Sequence, residues 1–274
     1  MKKNVFFLFM IVFFMECTTV PISGRSRVNL VSDAQVLPVS FAQYQGFIKE
    51  NKLSKNAGMT QQIKDVGQNV SAAVDRFMRA NNMISEANSY QWEFNLVEDK
   101  TVNAWCLPGG KVVFYTGILP ICENVDGIAA VMGHEVAHAF AKHGQERMTS
   151  TYGQQLGAVL VSLGTSKEYP KTQAIWNAAY GISSQVGMLS FSRTHETEAD
   201  QLGLVFMLMA GYKGTEAAEV WVRMSKQAGS SSTPEFLSTH PSHETRIQTL
   251  KNYLPTAKKY ADKYNAQAAA LLKE

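Results

Sequence analysis

The 274-residue chain predicts an α+β fold, mostly α, with one small antiparallel sheet. Three observations lead there. Apolar residues recur at helical spacing through much of the length, as in Ile63, Val66, Val70, Val74 and Phe77, or Ile128, Val131, Met132, Val136 and Phe140. The pattern changes between Tyr90 and Tyr115, where Trp92–Val97, Val102–Cys106 and Lys111–Tyr115 read as short strands, the last two joined by a Pro108-Gly-Gly110 turn. Two helical stretches further along carry His and carboxylate residues four apart, on one face each.

At the start, Lys2 and Lys3 precede an apolar run from Val5 to Met15. The run is too short to span a bilayer as a helix and suits the core of a secretory signal. Cys17 closes it, followed by Thr18-Thr-Val20, an arrangement that looks like a lipoprotein signal whose cysteine becomes the acylated N-terminus. Glu16 departs from the small residue usual before such a cysteine. Membrane attachment is therefore expected through a lipid on Cys17, because no later stretch has transmembrane length. Taking Lys2, Lys3 and Glu16 from the 26 basic and 23 acidic residues leaves 24 and 22, a net of +2 with no basic run. That excludes a nucleic-acid partner. Cys106 and Cys122 either pair in an oxidising compartment or stay free in a strand and a helix.

From Arg25 to Ser54 turn residues mix with scattered apolar ones, which predicts an arm with a short helix. Asn56 to Asn82 reads as a long helix with one buried face. If the edge of the following sheet lies along the next helix, an extended peptide can add there as a further strand through main-chain hydrogen bonds. Asn103 and Ala104 are the candidates for that edge. Gln145 to Gly164 and Lys171 to Phe191, rich in small residues, predict a helical hairpin, and Thr215–Gln227 and the tail from Lys251 have amphipathic spacing for packing on the domain.

The chemistry concentrates in Val131-Met-Gly-His-Glu-Val-Ala-His-Ala-Phe-Ala-Lys-His143. On a helix from about Asn124 to Lys142, His134 and His138 stack on one face and can bind one cation, with Glu135 beside them to take a proton from a water. With six His in the chain, a chance H-E-x-x-H has odds on the order of one in a hundred, so context has to support it. The bland alternative is a core helix whose histidines bond to backbone. Support comes from Ser192-Arg-Thr-His-Glu-Thr-Glu-Ala-Asp-Gln-Leu-Gly203, where Glu196 and Asp200 share a face. Glu196 can supply a third ligand, and Asp200 can accept the ring N–H of a ligand histidine. On the same wheel Glu198 points the opposite way and His195 lies off the metal face, which predicts that both are solvated or peripheral.

Together these motifs, with Asn103-Ala104, Pro108-Gly-Gly110, Ser192-Arg193, His240-Pro241 and Arg246, resemble the HtpX and CAAX-endopeptidase type of zinc metallopeptidases, the gluzincins, over about Ser71 to Leu250. In layout the chain is similar to the LoiP/BepA-like lipoprotein peptidases of that family. The resemblance implies one Zn2+ per chain on His134, His138 and Glu196, Glu135 as general base, and a gluzincin domain at 56–274 behind a signal at 1–16 and an arm at 17–55. It implies His240 as a donor to the oxyanion or as a resting-state ligand, against a bland turn leading into a helix. Arg246 either pairs with an acidic neighbour or holds a substrate carbonyl. The expected function is an endopeptidase of the bacterial periplasm, lipid-anchored to the outer membrane, that cleaves unfolded or misassembled exported proteins. The alternatives are a latent or chaperone-like zinc protein and a zinc hydrolase of a non-peptide substrate.

Overall fold

Asn124 caps the central helix by accepting a hydrogen bond from the Gly127 N–H (2.9 Å), and the helix, α5 in chain order, runs Val125–Phe140. Thirteen of its 16 residues are buried, including His134, Glu135 and His138, so a helix with polar groups on one side is enclosed on every side. The computed structural model describes residues 16–151, 191–228, 234–240 and 244–271. The elements before α5 are β1 (Glu16–Thr19), β2 (Ser26–Asn29), α1 (Asp33–Glu50), α2 (Ala57–Ala80), α3 (Ile84–Ser89), β3 (Glu93–Val97), β4 (Ala104–Leu107), β5 (Lys111–Tyr115) and the short α4 (Leu119–Cys122). After it come a helix, α6, over 143–151, then α7 (Arg193–Met209), α8 (Glu216–Ala228), α9 (Glu235–Thr239) and α10 (Glu244–Leu271).

The helices pack around aromatic and aliphatic side chains in the periodic positions. Phe77 of α2 meets Phe140, Phe206 and Tyr264 with ring centroids 5.6, 5.7 and 4.5 Å away, all near edge-to-face. Full burial of one such ring contributes about 1.5–3 kcal/mol. Helix α7 lies against α5 at its closest point through two glycines. A Cβ on Gly203 would stand 2.7 Å from the Gly133 carbonyl carbon and the His134 amide nitrogen, and one on Gly133 would stand 2.7 Å from the Gly203 carbonyl oxygen. Only hydrogen at both positions lets the two backbones come this near.

The three-stranded sheet has the order β3-β5-β4. It differs from the expected antiparallel sheet: β4 and β5 form the predicted hairpin around Gly109 and Gly110, both at positive φ, while β3 pairs with β5 in parallel. The long loop through residues 98–103 returns the chain so that β4 is an edge and β5 the centre. Both faces are covered. Phe94, Leu96, Val112 and Phe114 face the helical core, and Trp105, Leu107 and Val113 join Val36, Tyr44 and Phe47 of α1. The arm is thus more structured than expected, an 18-residue helix over the sheet. Ser40 and Pro38 interrupt its apolar stripe, which hides it from periodicity.

The β1–β2 hairpin pairs Cys17 with Val28 and Glu16 with Asn29, so the chain runs as strand through the boundary expected at 16/17. Arg27 anchors this hairpin on α5, donating to the Phe140 carbonyl (3.3 Å). Cys106 and Cys122 are both free. Among the described residues no helix is long and apolar enough to cross a membrane. Of the expected hairpin of Gln145–Gly164 and Lys171–Phe191, residues 145–151 form part of α6 and most of the rest lies outside the described residues, as does the expected signal run.

The glycine contact generates a prediction. Gly203→Ala forces α5 and α7 apart and lowers unfolding free energy by about 1–3 kcal/mol in denaturant titrations. Gly46→Ala is the comparison, because a Cβ there meets nothing within 4 Å inside α1 and is expected to be neutral or mildly stabilising.

Candidate metal centre

The crossing of α5 and α7 sets the site. His134 and His138, one turn apart on α5, turn their Nε2 atoms toward each other at 3.0 Å. Glu196, in the first turn of α7 behind the Ser192 cap, reaches the same point, with Oε1 3.4 Å from His138 Nε2 and Oε2 3.5 Å from His134 Nε2. His240, at the end of α9, adds its Nδ1 at 3.2 Å from His134 Nε2 and 3.0 Å from Glu196 Oε1. Four buried donor atoms therefore converge within 4.8 Å of one another. Three lone-pair-bearing nitrogens and a carboxylate facing one another without enough protons to share repel unless a cation lies between them. The donor set fits a divalent ion of the zinc type.

Glu135 stands beside this cluster, 2% exposed, with Oε1 buried, without a hydrogen bond, and 3.6 Å from His240 Nε2. Burial raises its carboxyl to about 7, against the opposing pull of positive neighbours. His134 and His138 are both held well toward the neutral form, chiefly by burial. Asp200 accepts from His134 Nδ1 at 3.0 Å and takes Arg246 Nη2 at 2.8 Å.

Arg246 is placed differently from the substrate-facing role considered for it. Its guanidinium is buried behind the cluster, pairs with Glu196 Oε2 at 2.6 Å as well as Asp200, and stacks 3.4 Å over the Trp221 ring. It neutralises carboxylates inside the fold.

Asn103 and Ala104 stand at the start of the edge strand, Asn103 just before it and Ala104 as its first residue; the Ala104 N–H bonds the Asn103 Oδ1 (2.9 Å), and Asn103 Nδ2 donates to Glu235 (3.3 Å). The cleft beside the site is lined by Trp105, Cys106 and Leu107 of β4, facing Glu135, His138 and Arg147. In the antiparallel ladder Trp105 spends its main-chain groups on Val113, so Cys106 directs its own outward to the open edge.

Sequence reasoning missed a second layer of residues. Glu198, expected to be solvated, is 3% exposed and takes His143 Nε2 at 2.8 Å and Arg25 Nη2 at 2.6 Å. Burial alone would raise its pKa, but the bonds from His143, Arg25 and Ser23 outweigh it and hold the carboxyl at about 2. Arg25 also grips Glu146 through two bonds, 2.7 and 2.6 Å, and Glu146 likewise falls to about 2. His195 stacks on His143, with ring centroids 4.4 Å apart. The available signal was positional: His143 follows His138 by five residues, and five of the chain's six histidines meet here, His243 lying outside the described residues.

A pair of crossed helices bearing H-E-x-x-H and a distal glutamate, closed over a buried donor set, defines a metal-dependent hydrolase. The profile of peptidase family M48 matches residues 60–254, and the chain belongs to that family. It is a metalloendopeptidase. The chain is 32% identical over 246 residues to the mitochondrial metalloendopeptidase OMA1 of Schizosaccharomyces pombe, spanning 89% of this chain and 68% of that one. It is 32% identical over 252 residues to the same-named protein of Saccharomyces cerevisiae, spanning 86% and 69%. It is 26% identical over 246 residues to the beta-barrel assembly-enhancing protease of Escherichia coli (strain K12), spanning 85% and 47%. These findings overturn the placement in a bacterial periplasm with an outer-membrane lipid anchor, since the 32% matches are to mitochondrial proteins. A leader read from two lysines and an apolar run reports composition, which does not by itself specify a compartment.

The buried histidines predict an acid sensitivity. His143 is held neutral by burial, with a pKa lowered from 6.5 to about 4, while in the unfolded chain it charges below about 6.5. The unfolded state then binds more protons, so the share of stability tied to His143 is full above 6.5 and lost as pH falls toward 4. Between pH 7 and 5 the denaturant midpoint of the metal-free protein should fall more in the wild type than in His143→Gln, since the opposing titration of Glu135 is common to both; equal changes would contradict a neutral buried His143.

Proposed function

We propose that the enzyme uses one Zn2+ per chain, held by His134, His138 and Glu196, and cleaves unfolded or extended polypeptide segments. The observation that carries this reading is the convergence of those three side chains beside an unpartnered Glu135 oxygen. Zinc in such a set supplies a water of lowered pKa and polarises the carbonyl to be attacked. Glu135, a buried carboxylate beside the donor set with one oxygen left unbonded, would take the proton from the attacking water and deliver it to the leaving amine. Asp200, itself held by Arg246, keeps the proton of His134 on Nδ1 so that Nε2 stays free to ligate. The open edge at Cys106 suits an extended segment, which would bond through its backbone and so be selected for extension more than for sequence.

His240 supports a latent resting state. Its Nδ1 lies among the donor atoms, 3.2 Å from His134 Nε2 and 3.0 Å from Glu196 Oε1, while its ring also borders the cleft, so it would complete the donor set in the resting protein. His240→Ala is then expected to raise basal turnover of an unfolded substrate while weakening zinc binding. A fall in kcat with zinc affinity unchanged would instead make it an oxyanion donor.

The central test is cleavage of casein by metal-loaded protein. Glu135→Gln should lower the rate about 10²–10⁴-fold with zinc content unchanged, and a chelator should abolish it. Casein left intact by the loaded wild type would favour a hydrolase of another substrate class.

A further inference from the structure

The two ligand histidines are supported unequally. His134 gives its ring proton directly to Asp200. Among the described residues the group at the His138 Nδ1 is not a carboxylate but the Nδ1 of His143, 2.9 Å away. With His138 Nε2 given to the metal, its Nδ1 must carry the proton and donate it. His143 therefore accepts on Nδ1, which places its own proton on Nε2, the atom that lies 2.8 Å from Glu198 Oε2. Any other assignment sets two donors or two acceptors face to face in a buried place, at a cost of about 1–3 kcal/mol. The direction of the whole chain of bonds is fixed by the carboxylate at its end.

Glu198 is in turn fixed from outside the helix pair. Arg25, in the turn of the β1–β2 hairpin, donates to Glu198 Oε2 from Nε (2.8 Å) and Nη2 (2.6 Å), and Ser23 donates to Oε1. The turn after α5 makes the geometry possible. Lys142 adopts a left-handed conformation (φ 59°), reversing the chain so that His143 folds back on His138, and its ammonium is held by Asp33 at 2.6 Å.

We propose that Arg25, which lies before the matched residues 60–254, is a positioning residue for the metal centre, acting through Glu198 and His143 to set the tautomer and ring orientation of His138. The inference rests on His138 being a metal ligand. A second cation site at His143, Glu146 and His195 is the competing use of these residues. The two rings stack at 21° to one another, so their lone pairs do not converge, and Arg25 already occupies both oxygens of Glu146.

The test uses the full-length chain, stripped of metal and titrated with Zn2+ against a chelating competitor and with Co2+ followed by its visible absorption. Glu198→Gln and Arg25→Met should each weaken Zn2+ binding about 10–100-fold and alter the Co2+ bands, and Arg25→Lys should restore part of the loss. The double variant should be no weaker than Glu198→Gln alone, because both act along one path. Ser23→Ala removes one donor and keeps the ion pairs, so it leaves the fold intact and should cost roughly two- to fivefold in affinity. Lower thermal midpoints with Zn2+ affinity and Co2+ spectrum unmoved in all these variants would make the network structural only and overturn the proposal. A wild type that binds no Zn2+, indistinguishable from His138→Ala, would instead overturn the metal-ligand reading beneath it.

Discussion

The site exists because two helix backbones touch. With Gly133 on one helix and Gly203 on the other, α5 and α7 approach to a distance that any side chain would forbid. The converging donor atoms of His134 and His138 then come from one and five residues past the contact on α5, and that of Glu196 from seven residues before it on α7. Side chains with the reach of His and Glu meet at a common point only where their backbones run close together. The residues that look least chemical therefore govern the geometry of those that do the chemistry.

Charge explains why the arrangement is tolerable in a dry interior. Around the cluster lie the carboxylates Glu135, Glu196 and Asp200; Arg246 pairs with Glu196 and Asp200, and Arg147 faces Glu135 across the cleft. Arg246 alone does not offset both of the carboxylates it touches, and burying an uncompensated charge costs several kcal/mol per ion even after relaxation. A divalent cation at the donor set would supply the missing positive charge. In the metal-free protein part of the relief comes from Glu135 instead, whose carboxyl rises to about 7 and so carries a proton for much of the time near neutrality. Arg246 is needed in both states, and its stacking on Trp221 gives the flat face of the guanidinium an apolar and π partner while its edge serves the carboxylates.

Much of this was legible in the sequence because it depends on spacing along single helices. His134 and His138 at i and i+4, Glu196 and Asp200 at i and i+4, and the Asn124 and Ser192 caps are all local properties, and each falls where periodicity puts it. Long-range pairing was not legible in the same way. Nothing in the strand residues distinguishes a parallel β3 from an antiparallel one, since the choice is made by the path of the loop and by helices covering both faces. Glu198 failed for a related reason. A helical wheel correctly put it opposite Glu196, but a wheel cannot say that the opposite side is occupied by the hairpin turn carrying Ser23 and Arg25. Arg246 likewise declares its charge in the sequence and not its direction.

The unequal support of His134 and His138 has a physical logic. His134 lies deep, against Trp221 and Phe236, where Asp200 and its guanidinium form a closed pair away from the cleft. His138 borders the cleft, stacked on Phe191 with centroids 3.9 Å apart and next to the edge strand where substrate would lie. A carboxylate bonded directly to it would stand near Glu135, and a like charge there would raise the Glu135 pKa further above neutrality. Inserting the neutral imidazole of His143 keeps the hydrogen bond that fixes His138 and moves the charge one ring further back. Coulomb repulsion falls with that distance, and Arg25, shared between Glu198 and Glu146, offsets part of what remains. The hairpin thus supplies the charge that the cleft side of the site cannot itself hold.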